Sequence, residues 1–488
     1  MTRKQTDIAI IGAGTAGLGA YRAARAFTDN LLLIEGGPYG TTCARVGCMP
    51  SKLLIAAAEQ AYHHQHNGVF GVDYAPPHID GAAVMARVRR ERDRFAGFVV
   101  EDITQFPAEH KLKGQARFID AHTLAVQLPD GQQLQVQAKR IVIATGSSPH
   151  IPDPLKAAAD RLLVNDDVFE LASLPRSVAV FGPGVIGLEL GQALARLGVR
   201  VCVFGRSGKL ATLSEPELRA KAIAQFNKEF YLDTEARVHH IARTGEAVEI
   251  RYQHAQRGEV TETFDYLLAA TGRQPNLSGL ALENAGLECD ERGTPKHNRH
   301  TGQCGNSHIF IAGDATNDLP LLHEAADEGK TAGTNAGRSL ADMNDVRVEP
   351  RRTPMSVVFT EPQIATVGMT LNTLKQQYPG CYATGAVSFE NQGRARVMHK
   401  NVGAARVYGQ HGTGLLLGAE LFGPAAEHMA HQLAWVIQMR MTVEQILALP
   451  FYHPVLEEGL RTALRDLNHK LSIGPELTAN CIDCGPGA

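Results

Sequence analysis

The chain lacks long hydrophobic runs and has no excess of charge of either sign. No segment of its 488 residues approaches the ~18 consecutive apolar residues that a membrane span requires. Its 48 basic and 51 acidic residues give a formal charge of −3, so electrostatics provide no reason to expect nucleic acid or a membrane surface as a partner. The N-terminal residues lack the apolar core of a secretory signal. These absences favour a cytoplasmic protein without nucleic-acid or membrane partners.

Low-complexity segments and short-period repeats are also missing, and cysteine is scarce. The eight cysteines are expected to be mostly reduced, because stable structural disulfides are rare in the cytoplasm. Four cysteines have no partner signal in the sequence and are expected to be isolated thiols: Cys202, Cys289, Cys304 and Cys381. The other four form two close pairs. The chain length suits about three domains.

The first cysteine pair is Cys43 and Cys48, with four residues between them. Pro50 suits the first turn of a helix, which places Cys48 just before a helix N-terminus. Backbone N–H groups and the helix dipole favour a thiolate at that position. We therefore favour a redox-active disulfide over its alternative, a pair of buried free thiols. A structural zinc site is disfavoured because it needs two further ligands nearby, and no metal site is predicted.

A dinucleotide-binding pattern precedes this cysteine pair. It consists of a strand at 7–11, the glycines Gly12, Gly14 and Gly17, a helix at 18–27, a strand at 31–34 and the acid Glu35. In such a pattern the first glycine makes the tight turn and the second lets the backbone approach a pyrophosphate. The third glycine lets the helix pack closely on the strand, and the acid binds a ribose hydroxyl.

The same pattern recurs in mid-chain. It consists of a strand at 178–181, the glycines Gly182, Gly184 and Gly187, a helix at 188–197 and a strand at 199–204. The position that corresponds to the acid holds Gly205, and Arg206 and Lys209 follow it. An acid would repel a 2′-phosphate, whereas an arginine can bind it with two hydrogen bonds. We interpret this region as an NADP(H) site with NAD(H) as the alternative coenzyme; without the motif, both cations would be ordinary solvated loop residues.

Each nucleotide-binding pattern is closed further along the chain by a short apolar strand and a turn. These segments are Ile141-Val-Ile-Ala144-Thr145-Gly146 and Leu267-Leu-Ala-Ala-Thr-Gly272-Arg273. A further strand at 309–311 leads to Gly313 and the carboxylate of Asp314. After residue 357, alternating segments such as 404–407 and 415–419 predict an antiparallel sheet and therefore a third domain of the α+β type.

Over nearly the whole chain, these ordered motifs resemble the FAD-dependent pyridine nucleotide–disulfide oxidoreductases, the group that holds dihydrolipoamide dehydrogenase, glutathione reductase and mercuric reductase. The matching pieces are Gly12-x-Gly14-x-x-Gly17 with Glu35, Cys43-x4-Cys48-Met-Pro-Ser-Lys52, Ala144-Thr145-Gly146, Gly182-x-Gly184-x-x-Gly187-Leu-Glu189, Gly272-Arg273-x-Pro275-Asn276, Gly313-Asp314, and His453-Pro454 followed by Glu458. The resemblance implies an α/β fold with two Rossmann-like dinucleotide-binding domains and a C-terminal α+β dimerisation domain. We place an FAD-binding domain at 1–150, an NAD(P)H-binding domain at 151–275, the second part of the FAD domain at 276–345, and the dimerisation domain with its cysteine-containing tail at 346–488.

The resemblance also implies which residues bind the cofactors. FAD lies on the N-terminal motif with Asp314 at its ribitol, and the nicotinamide nucleotide lies on the central motif. Lys52 is implied near flavin N5, paired with Glu189, where a cation favours the electron-rich reduced flavin. The residues expected to bind the cofactors are Gly12, Gly14, Gly17, Glu35, Thr42, Lys52, Ala144, Thr145, Gly146, Gly182, Gly184, Gly187, Arg206, Lys209, Gly272, Arg273, Gly313 and Asp314.

Electrons are then expected to pass from NADPH through the flavin to the disulfide, with the direction open. The resemblance makes Cys48 the thiolate beside the flavin and Cys43 the exposed interchange thiol. His453 is the acid and base of dithiol–disulfide exchange, and Glu458 fixes its tautomer. In the family this pair comes from the partner subunit, so a homodimer is implied.

The substrate is expected to be a small dithiol or disulfide, or a lipoyl group. The segment 359–368 resembles dihydrolipoamide dehydrogenases, whereas Arg206 resembles the NADPH-dependent members, so a glutathione-, thioredoxin- or mercuric-reductase-like enzyme is the alternative. Mercuric reductase is disfavoured because such enzymes usually have another residue at the position of His453 and because no metal-binding domain precedes Gly12. A non-catalytic flavin-binding sensor or scaffold is disfavoured because it would not need the cysteine pair, His453 and Glu458.

Two features depart from the family pattern. The chain has Gly40-Thr-Thr-Cys43 where Gly-Gly-Thr-Cys is usual, and we assign no effect to this change. The second cysteine pair, Cys481 and Cys484, has two residues between its members and lies near the C-terminus. It either relays electrons from the partner subunit's active site or belongs to a mobile tail whose thiols are incidental, and the second interpretation is favoured.

Overall fold

The fold is taken from a computed structural model, which describes residues 2–65 and 67–473. The chain forms two compact units. The first contains the chain up to Leu53 together with Arg87–His150 and Gly272–Arg351. The second contains Leu54–Ala86, Ile151–Thr271 and the described chain from Arg352 onward. The tail cysteines Cys481 and Cys484 lie outside the described residues.

The first unit is built on a sheet whose strands lie in the order Lys111–Lys113, Leu31–Glu35, Thr2–Ile11, Gln133–Ile143, Thr123–Gln127 and Gln115–Phe118, with Ile309–Ile311 also paired to Gln133–Ile143. The strands Leu31–Glu35, Thr2–Ile11, Gln133–Ile143 and Ile309–Ile311 run parallel. Ile8 and Ile10 pack into one core cluster while Ala9 and Ile11 pack into another, so the strand is buried on both faces. Parallel sheets have this double burial because layers cover both of their faces.

One face of this sheet is covered by the helices Thr15–Ala24 and Leu322–Arg338, which pack closely on each other. A Cβ atom at Gly329 would lie 2.1 Å from the carbonyl oxygen of Ala16, and one at Gly333 would lie 2.2 Å from that of Ala20. The two helix backbones can therefore approach this closely because both positions are glycine.

The second unit contains the other parallel sheet. Its strands lie in the order Tyr231–Asp233, Arg200–Phe204, Ser177–Phe181, Tyr266–Ala269 and Leu162–Leu163. An antiparallel meander of Val238–Thr244, Ala247–His254 and Gly258–Phe264 shares a buried core with it. This repeats the parallel nucleotide-binding arrangement that the central glycine motif predicts.

The C-terminal part of the second unit has an antiparallel sheet. Its strands lie in the order Met355–Val358, Gln363–Gly368, Leu416–Gly423, Ala404–Gln410 and Tyr382–Ser388. The sheet shares a core cluster with the helices Ala426–Gln438, Val443–Leu447 and Glu458–Ile473. The expected fold class, two dinucleotide-binding domains plus an α+β domain, is confirmed.

The remaining α-helices are Thr42–Val46, Cys48–Tyr62, Gly81–Thr104, Asn165–Val168, Val185–Arg196, Pro216–Phe226, Leu371–Gln377 and Gly393–Val397. Short 3₁₀ segments include Asp153–Arg161, Gly313–Thr316 and Phe389–Asn391. Within the described ranges, none of the helices is long and apolar enough to cross a membrane.

Several sequence expectations differ from the structure. The first helix spans Thr15–Ala24 rather than 18–27, and the central one spans Val185–Arg196 rather than 188–197. In both, the second glycine of the motif is the N-cap and the third glycine lies inside the helix. The expectation that Cys381 is an isolated thiol is wrong, since it is disulfide-bonded. Cys202, Cys289 and Cys304 are free thiols as expected.

Candidate active site

The N-terminal glycine turn has the shape that a bound dinucleotide requires. Gly12 has φ +107°, and a Cβ atom there would lie 2.2 Å from the carbonyl oxygen of Ala144. A Cβ atom at Gly17 would lie 1.8 Å from the carbonyl oxygen of Gly12, whereas one at Gly14 would meet nothing within 4 Å. The first and third glycines are therefore required by packing, and the second leaves open space at a helix N-terminus. Such a cradle fits the pyrophosphate of a dinucleotide.

Glu35 ends the second strand of this motif, and its carboxylate is held on both sides. One oxygen accepts a hydrogen bond from the backbone N–H of Ala13 at 2.7 Å, and the other accepts from Gly37 at 2.6 Å. These bonds fix the carboxylate beside the glycine turn. A carboxylate fixed there suits the ribose-binding role that the sequence predicts.

Asp314 is oriented by a residue that sequence reasoning missed. The Ser147 hydroxyl donates to Asp314 Oδ2 at 2.6 Å, and Arg273 Nε donates to the Ser147 hydroxyl at 2.8 Å. Arg273 also donates to the Ser147 carbonyl at 2.6 Å. The short strands Ser147–Pro149 and Arg273–Pro275 pair antiparallel, which brings the two closing segments together. Arg273 thus acts on Asp314 through Ser147, whose place directly after Gly146 was its one signal in the sequence.

The two cysteines lie in contact at the start of a helix. Cys43 belongs to the helix Thr42–Val46, and Cys48 is the first residue of the helix Cys48–Tyr62. A hydrogen bond to Cys48 and burial together raise the pKa of the Cys43 thiol, while the charge of Lys52 opposes this rise. Cys48 lies at the positive end of the helix dipole, where negative charge is favoured.

The two cysteines differ in exposure. In the single chain Cys48 is exposed and Cys43 is half-buried, and the role of Cys43 as the interchange thiol stays a prediction. The reason is local: Cys43 lies within a short helix whose neighbours Ala44 and Val46 are buried, whereas Cys48 begins a new helix. Thr42 is exposed, and the hydroxyl of the preceding Thr41 caps the short helix by accepting from the N–H of Ala44 at 3.2 Å.

The central glycine motif repeats the first one closely. A Cβ atom at Gly182 would lie 2.2 Å from the carbonyl oxygen of Ala270, and one at Gly187 would lie 1.9 Å from that of Gly182. A Cβ atom at Gly184 would again meet nothing within 4 Å. The second turn therefore forms the same kind of cradle, and it fits a second dinucleotide.

The position that corresponds to the acid has no room for a side chain. A Cβ atom at Gly205 would lie 2.7 Å from the Thr234 carbonyl oxygen and 2.8 Å from Pro183 Cγ. The neighbouring Arg206 and Lys209 are exposed. The turn therefore offers two cations and no carboxylate at the position of Glu35.

Glu189 is buried on the helix Val185–Arg196, 4% exposed, and accepts a hydrogen bond from the backbone N–H of Phe359 at 2.9 Å. One turn further along, the Gln192 amide binds the backbone of Glu361 with both its oxygen and its nitrogen, each at 2.8 Å. The 359–361 segment, which sequence analysis singled out without a role, thus holds this face of the helix.

His453 and Glu458 form a pair at the beginning of the last helix. His453 Nδ1 lies 3.1 Å from both carboxylate oxygens of Glu458, and the His453 side chain is 81% exposed. The hydrogen bond from His453, followed by that from the N–H of Val455, lowers the pKa of Glu458. An ionised carboxylate can accept but not donate, so in the neutral imidazole the proton lies on Nδ1 and Nε2 carries the free lone pair.

The predicted site residues are divided between the two units. The cysteine pair, Lys52 and Asp314 belong to the first, whereas Glu189 and His453 belong to the second. Within the first unit Lys52 Nζ lies 3.4 Å from the hydroxyl of Ser51. The pairing of Lys52 with Glu189 and the action of His453 on the cysteines stay predictions.

Comparison with known proteins agrees with this geometry. Residues 6–329 match the model of the family described as pyridine nucleotide-disulphide oxidoreductase, and residues 354–464 match the dimerisation domain of the same family. A mercuric reductase of Streptomyces lividans is 32% identical over 465 residues, covering 94% of this chain and 95% of that protein. Dihydrolipoyl dehydrogenase 3 of Pseudomonas aeruginosa is 31% identical over 480 residues, covering 95% and 98%.

Solved structures show the same fold. The HOCl-induced flavoprotein disulfide reductase RclA from Escherichia coli superposes with a TM-score of 0.77 at 23% identity, covering 96% of this chain and 99% of that one. LpdA from Mycobacterium tuberculosis superposes with a TM-score of 0.79 at 24% identity, covering 95% and 99%.

Proposed function

The chain belongs to the pyridine nucleotide-disulphide oxidoreductase family, and we propose that it is an NADPH-dependent disulfide oxidoreductase that works through the Cys43–Cys48 pair. Members of this family are enzymes, FAD-dependent flavoproteins that use NAD(P)H, and the dimerisation-domain match supports a homodimer. The balanced reaction is the transfer of two electrons and a proton from NADPH, with one further proton, to a disulfide, which yields NADP⁺ and two thiols.

The observation that carries this proposal is the contact between the two thiols in the same unit as a dinucleotide cradle. The N-terminal cradle would hold FAD, which would supply a two-electron carrier between the nicotinamide and the Cys43–Cys48 disulfide. One reduced cysteine attacks the substrate disulfide, which breaks the substrate S–S bond, forms a mixed disulfide and releases the first thiol. The other cysteine then attacks the mixed disulfide, which restores the Cys43–Cys48 bond and releases the second thiol.

His453 would move the proton in this exchange. Its Nδ1 proton is held by Glu458, so Nε2 is free to take a proton from a thiol and to return it to the leaving thiolate. The high exposure of His453 in the single chain suits a residue that acts on the active site of a second subunit. We assign Lys52 and Glu189 to the flavin site and Asp314, held by Ser147 and Arg273, to the ribitol.

NADPH is proposed as the coenzyme because the central turn has no carboxylate at Gly205 and carries Arg206 and Lys209. Arg206→Glu should raise the KM for NADPH by about 10- to 150-fold and change the KM for NADH much less, because it removes a charge-assisted bond to the 2′-phosphate. Steady-state kinetics with both coenzymes measure this. Arg251→Glu, at an exposed arginine of the meander, is the matched control and should leave the ratio unchanged. An equal rise for both coenzymes, or a wild-type preference for NADH, would overturn the NADPH assignment.

The substrate is proposed to be a small disulfide or dithiol of the lipoyl type, because the 359–361 segment that resembles dihydrolipoamide dehydrogenases holds the helix of Glu189. A mercuric-reductase-like activity is the second candidate. The lack of a metal-binding domain before Gly12 does not exclude it, because the Streptomyces mercuric reductase is matched over 95% of its own length. His453 still disfavours it.

The experiment that tests the proposal is turnover of the purified holoenzyme with lipoamide, glutathione disulfide, a small aromatic disulfide and Hg²⁺, each with NADPH and with NADH. We expect NADPH-dependent reduction of at least one disulfide, with lipoamide the most active. Turnover of Hg²⁺ but of none of the disulfides would show that the metal ion, and not a disulfide, is the substrate. A flavin that NADPH reduces without turnover of any of these compounds would favour the sensor or scaffold interpretation.

A further inference from the structure

The loop that carries His453 is attached to the rest of the dimerisation domain through the backbone of Val455. The N–H of Val455 donates to Glu458 Oε2 at 3.2 Å, on the carboxylate that also binds His453. The carbonyl oxygen of Val455 accepts from the side-chain amide of Gln392 at 2.8 Å. One peptide segment therefore joins Gln392 on one side to the His453–Glu458 pair on the other.

Gln392 is itself held in place. Its amide oxygen accepts from the N–H of Ala395 at 2.7 Å, which makes it the N-cap of the helix Gly393–Val397. A Cβ atom at Gly459, the second residue of the last helix, would lie 2.9 Å from the fully buried ring of Phe389 and 3.7 Å from Gln392 Cγ. The beginning of the last helix thus rests on Phe389 and Gln392, so a shift of Gln392 would be transmitted to Glu458.

We propose that Gln392 is a positioning residue for thiol–disulfide exchange, which through Val455 holds Glu458 and His453 in the geometry that leaves Nε2 as the free base. This inference rests on the proposed function of His453. Gln392 does not touch the reacting atoms, and its effect passes through the Val455 peptide. The charge of Arg461, on the last helix, also acts on Glu458, and substitutions of Gln392 do not remove it.

The test compares two variants with a matched control in the FAD-loaded enzyme. Gln392→Met removes both hydrogen bonds at similar volume, whereas Gln392→Glu keeps an acceptor for Ala395 and removes the donor to Val455. Each should slow the half-reaction of the reduced enzyme with oxidised lipoamide by about 3- to 10-fold, the range expected for one lost hydrogen bond, and leave flavin reduction by NADPH unchanged. Thr370→Ala removes the N-cap of the helix Leu371–Gln377 and should lower the melting temperature comparably without slowing either half-reaction.

A double-mutant cycle separates positioning from general destabilisation. In a Glu458→Ala background, Gln392→Met should change the lipoamide half-reaction by less than about 2-fold, because the side chain that Gln392 positions is absent. The same factor in both backgrounds, or equal slowing of both half-reactions, would overturn the inference. His453→Gln distinguishes a failure of the proposed function from a failure of the inference about Gln392. If His453→Gln has no effect, the proposed role of His453 fails. If it slows exchange while both Gln392 variants behave as wild type, only the inference about Gln392 fails.

Discussion

Replacing either cysteine of the first pair, as Cys43→Ser or Cys48→Ser, is expected to abolish disulfide turnover while FAD stays bound. Turnover needs both sulfurs, since one forms the mixed disulfide and the other resolves it. The dinucleotide cradle is formed by the Gly12, Gly14 and Gly17 turn, which neither substitution touches. Steady-state assays with the active disulfide and the flavin absorbance of the purified variants measure the two effects.

Cys289→Ser, at a half-buried free thiol of the same unit, is the matched control and should turn over as wild type. Loss of flavin from both variants, or undiminished turnover in either, would contradict the assignment of the redox pair. Brief alkylation of the NADPH-reduced enzyme, followed by peptide mass spectrometry, identifies the interchange thiol. The resemblance predicts labelling of Cys43, and labelling of Cys48 instead would overturn the assignment of Cys43 as the interchange thiol.

His453→Gln is expected to slow the half-reaction with disulfide or dithiol by ~10²–10⁴-fold, the usual contribution of a general acid–base group. Glutamine keeps a donor for Glu458 but has no group that titrates near neutral pH. Flavin reduction by NADPH should keep its wild-type rate, because it needs no proton transfer to sulfur. Rapid mixing of enzyme with NADPH, and separately of reduced enzyme with oxidised lipoamide, measures the two half-reactions.

Glu458→Gln should slow the same half-reaction by a smaller factor, because the imidazole remains and loses the carboxylate that holds its Nδ1 proton. His428→Gln, at an exposed histidine of the helix Ala426–Gln438, serves as the control and should leave the rates of both half-reactions unchanged. Equal slowing of both half-reactions in His453→Gln would show that the residue is structural.

The sequence was sufficient for the fold class and for the local geometry around several of the candidate site residues. A glycine that makes a tight turn, or one that lets a helix approach a strand, is required by local geometry, and local geometry depends on residues close together in the chain. The close approach of Gly12 to the Ala144 carbonyl, and that of Gly17 to the Gly12 carbonyl, agree with this expectation. The cysteine pair at a helix start and the His453–Glu458 contact were likewise readable, because their members are five residues apart.

Contacts between distant parts of the chain were decided by the tertiary structure. Ser147 reaches Asp314 across 167 positions, and Glu189 meets the backbone of Phe359 across 170. The relative exposure of Cys43 and Cys48 and the bond from Gln392 to Val455 also had no sequence signal. A glycine motif recurs because each bound nucleotide needs the same turn, so the spacing of its residues can be recognised in the sequence. A hydroxyl or amide that orients another group needs only a hydrogen bond of suitable length, which many residue types at many positions can supply, and only the packed chain selects one of them.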